Sequence, residues 1–306
     1  MNKILVIGSS NIDLIIKTER LPKPGETVGG GEFAQANGGK GANQAVAAAK
    51  AGGKVTFISC VGDDDFGSKQ LEGFIKIGIN VEGVTIEREI TTGVALILVD
   101  QFGENSIAIS PGANQRLDVQ KIDHFHSLLE KTEYILLQHE IPMETIKYVI
   151  KKGKELDKKI MLNPAPAAEI TQELYPMIDT LILNESEAEY LTQQPVESND
   201  EIEKVASSFL QRGVNHVILT LGSQGGFFCS KGERFSFPAF KVEVVDTTAA
   251  GDVFCGAYAV AVSEGKNFKD ATRFAAAASA LAVTKMGAQP SAPGREELDF
   301  FLKKRV

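Results

Sequence analysis

Asp252 closes the stretch Val245-Asp246-Thr247-Thr248-Ala249-Ala250-Gly251-Asp252, in which small residues lead from a short β-like run into a helix. Ala249, Ala250 and Gly251 carry no bulky side chain, so the first N–H groups of that helix are unshielded. Orphan donors of this kind, with the positive end of the helix dipole, can hold a phosphate. A carboxylate at the mouth of such a cradle is stabilised by the same dipole, and it can take a proton from a hydroxyl that attacks the phosphate. Asp is also a common helix cap and Ala/Gly turns are common packing devices, so this segment alone leaves both readings open.

Asn37-Gly38-Gly39-Lys40-Gly41-Ala42-Asn43 is a second candidate, followed by an Ala-rich helix that stops at Gly52-Gly53. It is not a Walker loop, because Ala34 and Gly41 stand where Gly and Ser/Thr are required. It offers backbone free to approach a ligand, with Lys40 and Asn43 as donors for a polyol; a glycine turn before a packed helix is the alternative. Asn184-Glu185-Ser186-Glu187 places an amide and a carboxylate on one face of a helix start. They could reach Mg²⁺ through waters, and a capping box would use the same residue types. Asp63-Asp64-Asp65 lacks the ligands that follow in a calcium loop and suits helix capping. His124 and His126, two apart on a polar helix, read as solvated, whereas His139 beside Glu140 could line a site. Ser10 and Asp13 occupy positions where a dinucleotide fingerprint needs glycine.

The elements that must position these groups follow from hydropathy. Residues 4–8 and 55–61 read as buried strands, with a helix to Ile77 after the second. From Tyr134 onward strand and helix alternate, with strands at 134–138, 160–163, 180–184 and 216–222, the pattern of a doubly wound, largely parallel sheet. Ligands of such sheets bind beyond the carboxyl ends of the strands. Asn11, Glu140, Asn163, Asn184, Glu187, Asp252 and the run Thr220-Leu221-Gly222-Ser223-Gln224-Gly225 all fall at one such edge. Residues 225–230 and 234–237 read as a hairpin, and 268–286 as an Ala-rich buried helix. Residues 13–17, 27–35, 91–100 and 105–110 alternate more loosely. They suit a small accessory sheet that covers the site, and an apolar face on it would serve self-association.

The 306 residues suit one α/β domain spanning 1–306, with lid segments at about 13–36 and 91–110. Three Cys, at 60, 229 and 255, with no C-x-x-C pair, argue for a reducing compartment and against a Cys-based zinc site. The apolar run 1–8 breaks at Gly8, too short for a spanning helix and unlike a secretory signal, so a cytoplasmic location is expected. A formal net charge of −8 speaks against nucleic-acid and acidic-membrane partners.

Taken together, these segments resemble the ribokinase-like family of sugar kinases, from Gly8-Ser9-Ser10-Asn11-Ile12-Asp13 to Gly287-Ala288-Gln289-Pro290-Ser291. Asn37 to Asn43 with Gln44-Ala45, and Asp246 to Asp252, carry the resemblance most strongly. It implies a three-layer α/β/α domain with a small β-sheet lid through which two subunits pair, and transfer of the ATP γ-phosphate to the 5-hydroxyl of D-ribose. By position, it implies Asp252 as the base and the amides of Ala249, Ala250 and Gly251 as the anion hole. Asn11, Asp13, Gly39, Lys40, Asn43 and Glu140 would hold the sugar. Asn184 and Thr220 to Gly225 would bind ATP, with Glu187 ordering Mg²⁺. Asp246 and Thr248, with carbonyls at Ala282, Lys285 and Gly287 and the Ser291 position, would hold K⁺. The family usually has Gly where Ala249 stands, and near Ala276 only a methyl replaces a His that some relatives place beside adenine. A kinase of 2-deoxyribose, fructose or a nucleoside, or a catalytically silent sugar binder, would share much of this pattern.

Overall fold

The computed structural model describes residues 4–305, so Met1, Asn2 and Lys3 of the apolar opening run, and Val306, lie outside the described residues. The strands are β1 (Ile4–Ile7), β2 (Asn11–Lys17), β3 (Glu32–Gly38), β4 (Val55–Gly62), β5 (Asn80–Glu87), β6 (Gly93–Val99), β7 (Asn105–Ser110), β8 (Tyr134–Gln138), β9 (Lys159–Asn163), β10 (Thr180–Asn184), β11 (His216–Thr220), β12 (Gly226–Ser230) and β13 (Arg234–Phe237). Among the described residues they form a nine-stranded sheet, ordered β13-β12-β11-β10-β9-β8-β1-β4-β5, and a four-stranded sheet, ordered β3-β2-β6-β7. In the large sheet every pairing is parallel except β11 with β12 and β12 with β13.

The period of two along β1 builds the layers. Ile4 and Val6 enter the cluster under helices Lys40–Lys50, Ala250–Ser263, Phe268–Ala282 and Arg295–Lys303. Leu5 and Ile7 enter the opposite cluster, under helices Met143–Glu155 and Asn199–Arg212. Each fully buried Leu or Ile of these two layers contributes on the order of 1.5–3 kcal/mol. The result is a three-layer α/β/α core in which all parallel strands end on one edge, as the alternation of elements implied.

Local signals set most boundaries. Asp64 caps helix Asp65–Ile77 by accepting from the Gly67 N–H at 2.8 Å, and Gly78, with φ of 87°, ends it. Capping therefore explains the acidic triplet. Several expectations need correction. Residues 27–31 are not strand, and β3 runs instead to Gly38. The helix expected over 268–286 ends at Ala282 and gives way to turns. His124 and His126 sit on two short helices that meet at Phe125. The run before Asp246 is irregular: Val244 and Val245 are more than half exposed and pair with no strand. Edge strand β5 was not read at all.

The small sheet carries its apolar side chains to the surface. Ile15, Ile97 and Ile107 align across β2, β6 and β7, and Ala95 pairs with Ile109. Ile107 and Ile109 remain more than half exposed, as do Phe33 and Leu96 on the other face.

Candidate active site

The described strand ends and two helix starts converge on one edge. Helix Ala250–Ser263 is capped by Ala249, held left-handed with φ of 59°, and Asp252 is its third residue rather than its cap. Among the described residues no backbone acceptor faces the N–H groups of Gly251 and Asp252, whereas the Ala250 N–H donates to the Thr247 carbonyl at 3.2 Å. A Cβ at Gly251 would meet nothing within 4 Å, so this turn opens onto free space. A left-handed Ala costs about 1 kcal/mol, strain that the surrounding fold must hold in place.

Asp252 is 6% exposed. Its Oδ2 accepts from Asn43 Nδ2 and its Oδ1 from Gln44 Nε2, each at 3.0 Å. Both donors lie near the start of helix Lys40–Lys50, which the glycine run brings close to β1. Gly41 permits that approach, because a Cβ there would sit 2.5 Å from the backbone of Gly8 and Ser9. Gly39, with φ of 86°, lies against the Asn11 N–H in the same way. Asn43 Oδ1 is buried without a partner, an acceptor suited to a hydroxyl donor from outside the protein.

Around this pair lie the other expected sugar-binding groups. Glu140 Oε2 accepts from Ser9 Oγ at 2.6 Å and from the Lys40 N–H at 2.9 Å. The Asp13 carboxylate packs on Gly38, where a Cβ would fall 2.4 Å from it. Burial first, then the negative charges of Glu140 and Asp252, push Asp13 up to about 6. Asn11 accepts from Asn114 Nδ2 through Oδ1 at 2.7 Å, which leaves its own N–H₂ free to donate. Burial alone would depress the Lys40 ammonium, but Asp252, Glu140 and Glu187 outweigh it and hold Lys40 above its usual range.

Lys40, Asn184, Glu187, Thr220, Thr247 and residues 249–252 line one cavity of about 180 Å³. The cradle, the half-buried Lys40 and, of the expected nucleotide residues, Asn184 and Thr220 thus share one space, whereas Leu221 to Gly225 do not line it. Asn184 and Glu187 do form a capping box, with Glu187 N–H to Asn184 Oδ1 at 2.8 Å and Asn184 N–H to Glu187 Oε2 at 3.0 Å. That box occupies only Oε2 of Glu187. The other oxygen has no hydrogen bond among the described residues, so the carboxylate fits an ion reached through water. Burial raises the Glu187 carboxyl despite the Asn184 N–H. Among the described residues no three His, Cys, Asp or Glu side chains cluster as a metal cage. Thr220 Oγ1 donates to the Leu183 carbonyl, and Leu221, Gly222, Ser223, Gln224 and Gly225 form the short turn between β11 and β12.

Asp246 lies under the cradle. Its Oδ1 accepts from the Thr248 N–H and Oγ1 at 2.9 and 2.6 Å, and its Oδ2 from the Gly287 N–H at 2.8 Å. Burial would raise this carboxyl, but those bonds outweigh it and hold it below the usual range. An ionised carboxylate tying the cradle to the 283–287 turn fits a monovalent cation. The Lys285 ammonium instead pairs with Glu297 at 2.8 Å, the Ala282 carbonyl accepts from the Lys285 N–H, and Ser291 Oγ donates to the Ala288 carbonyl. His139 is buried neutral, pushed down to about 4 by desolvation; it does not line the cavity itself, but its backbone N–H donates to the carbonyl of Ala165, which does.

Reading the sequence missed the groups that hold this constellation: Ser9 on Glu140, Asn114 on Asn11, and Gln138 behind Gln44. Gln44 itself entered only as part of a signature. A polar side chain among Ala42, Ala45, Val46 and Ala48 on a buried helix was the available signal.

An oxygen-rich sugar pocket, a buried carboxylate and a helix-start anion cradle, all at the carboxyl edge of a doubly wound sheet, define a phosphotransferase acting on a polyol. The family comparison makes this specific: the model for the pfkB family of carbohydrate kinases matches residues 1–295, and the chain belongs to that family. It is therefore an ATP-dependent sugar kinase. The chain is 41% identical over 304 residues to a ribokinase of Haemophilus influenzae, covering 99% of each chain. It is 38% identical over 300 residues to a deoxyribokinase of Salmonella typhi, covering 98% of each. The solved ribokinase of Arabidopsis thaliana complexed with ribose and ATP superposes with a TM-score of 0.91 at 34% identity, covering 99% of each.

Proposed function

We propose that this chain transfers the γ-phosphoryl group of ATP to the 5-hydroxyl of D-ribose, giving ribose 5-phosphate. The observation that carries the reading is Asp252: a buried carboxylate, fixed by two amide donors, beside two unpaired helix-start N–H groups and an unpartnered acceptor on Asn43. The ribokinase likenesses supply the sugar.

In this reading Asn11, Asp13, Gly39, Asn43 and Glu140 hold the sugar hydroxyls and aim the 5-hydroxyl at Asp252. Asp252 accepts its proton as the new O–P bond forms and the bond to ADP breaks. The transition state is loose, so positioning and charge neutralisation supply most of the barrier reduction. Of the amides expected to form the anion hole, those of Ala249, Ala250 and Gly251, that of Ala250 bonds back to Thr247, so in this reading the amides of Gly251 and Asp252 receive the charge of the phosphoryl oxygens. Lys40, which shares the cavity with that turn, adds a cation along the same path. Asn184 and residues 220–225 hold the nucleotide. Glu187 would order the waters of a Mg²⁺, which would supply charge neutralisation to the phosphates. Asp246, Thr248, Ser291 and the carbonyls of Ala282, Lys285 and Gly287 would hold a K⁺ that would brace the cradle turn.

The four-stranded lid closes over the sugar and excludes water. We read 1–306 as one catalytic domain in the cytoplasm, pairing as a homodimer through the exposed isoleucines of the lid. A second substrate, 2-deoxyribose, is favoured by the deoxyribokinase likeness. ADP release measured over pentoses, hexoses and nucleosides, with and without K⁺, tests the assignment; activity on hexoses without ribose overturns it. Asp252→Asn lowers kcat about 10²–10⁴-fold with the fold intact. Near-normal turnover in that variant removes Asp252 as base.

A further inference from the structure

Gln44 is fully buried in a helix face otherwise made of Ala, Gly and Val. Burying an amide is costly unless its hydrogen-bonding groups are matched, so its partners show what it is for. Nε2 donates twice, to Asp252 Oδ1 at 3.0 Å and to Asn163 Oδ1 at 3.1 Å. Oε1 accepts from Gln138 Nε2 at 2.7 Å. Asn163 in turn donates to the Ile182 carbonyl at 3.0 Å and lies 3.5 Å from Glu187 Oε2.

Each bond fixes the direction of the next. The Ile182 carbonyl can only accept, so it turns the Asn163 N–H₂ toward itself and Asn163 Oδ1 toward Gln44. Gln138 donates to Oε1 of Gln44 on the opposite side, while its own Oε1 is buried without a partner among the described residues. Gln44 therefore presents N–H to the Asp252 carboxylate and cannot flip without setting oxygen against oxygen. Gly8 belongs to the same construction, because a Cβ there would lie 2.0 Å from Gln138 Oε1.

We infer that Gln44 is a positioning residue for the Asp252 base, held in one orientation by Gln138 and Asn163, and that this amide chain links the base to the Glu187 side of the cavity. The inference rests on Asp252 acting as the base. Gln44 is fully buried and does not line the cavity, so it acts through Asp252. Its effect is to fix the carboxylate plane against the 5-hydroxyl.

The test is steady-state kinetics against pH for wild type, Gln44→Met, Gln44→Glu and Asp252→Asn, with thermal melting of each. Gln44→Met removes both donors at similar volume. It lowers kcat about 10–100-fold and leaves KM for sugar and ATP within about threefold. Gln44→Glu keeps the acceptor for Gln138, so it preserves packing if Gln44→Met does not fold. It puts oxygen against Asp252, and its loss of kcat relative to wild type deepens as pH rises. A purely structural Gln44 would change melting temperature and leave kcat of the folded enzyme within about threefold of wild type. Such near-normal kcat in both Gln44 variants, with Asp252→Asn inactive, overturns the inference and leaves the base standing. An active Asp252→Asn overturns the base reading instead.

Discussion

Asp13 should make the unliganded enzyme less stable than it need be. Its carboxylate packs on Gly38, has no hydrogen bond among the described residues, and faces Glu140 and Asp252. Its ionisation midpoint is raised from 3.8 to about 6 in the fold. A carboxyl whose folded value lies above its unfolded value favours folding in the protonated form. Its cost is absent below pH 3.8, grows between 3.8 and about 6, and is complete above 6. Two units correspond to about 3 kcal/mol, and side-chain relaxation reduces this to about 1–3 kcal/mol. Asp13→Asn removes the charge while keeping the shape. Denaturant unfolding without sugar should show the variant more stable by that amount at pH 7.5, with the gain vanishing near pH 4. The same substitution should lower kcat/KM for the sugar by at least about 100-fold, because one of the two acceptor oxygens that face the hydroxyls becomes an N–H₂ donor and the charge is lost. In the wild type, kcat/KM for the sugar should fall as pH drops through about 6. A stability gain that is absent, or equal at pH 4 and 7.5, refutes the argument that sugar binding is bought with native-state strain.

Gly41→Ala places a Cβ 2.5 Å from the Gly8 and Ser9 backbone, which no rotamer relieves. Unfolding should show a loss of about 2–4 kcal/mol, and a loss below 0.5 kcal/mol would mean that the helix start can shift freely. His139, neutral with its value pushed down from 6.5 to about 4, contributes stability that is complete above pH 6.5 and lost as pH falls toward 4, about 3 kcal/mol in all. His139→Gln should flatten stability against pH in that window, and an unchanged slope counts against it. Ile107→Asp in the lid should convert dimer to monomer in light scattering; a monomeric wild type removes the lid pairing.

How much of this could be read from the chain depends on whether the signal was local. Strands β1, β8, β10 and β11 are continuous apolar runs buried on both faces, so hydropathy alone found them and their carboxyl edge. Strand β5 has one face half exposed and Gly83 in its middle, so neither an apolar run nor clean alternation marked it. Val244 and Val245 show the opposite failure. They are β-branched, yet no neighbouring strand presents its edge to them, and propensity without a partner makes no strand.

The site divides in the same way. Asp252, Asn184 and the glycine run were legible because their chemistry lies within a few residues of one turn. Gln44 and Gln138 were not, and Asn163 was legible only as a polar strand end, because each is an unremarkable amide until the fold brings Gln138 and Asn163 within 3.1 Å of Gln44. Ala249 shows why local reading of the cradle was incomplete. As a small residue it suggested only an unshielded N–H, yet its left-handed φ of 59° shapes the turn that frees Gly251 and Asp252 while Ala250 bonds back to Thr247. That conformation is held partly from outside the segment, because Asp246 accepts from the Thr248 N–H within it and from the Gly287 N–H beyond it. The phosphate cradle is thus a property of two segments about forty residues apart, which ties the turn that would receive the phosphoryl group to the turn that would hold the cation.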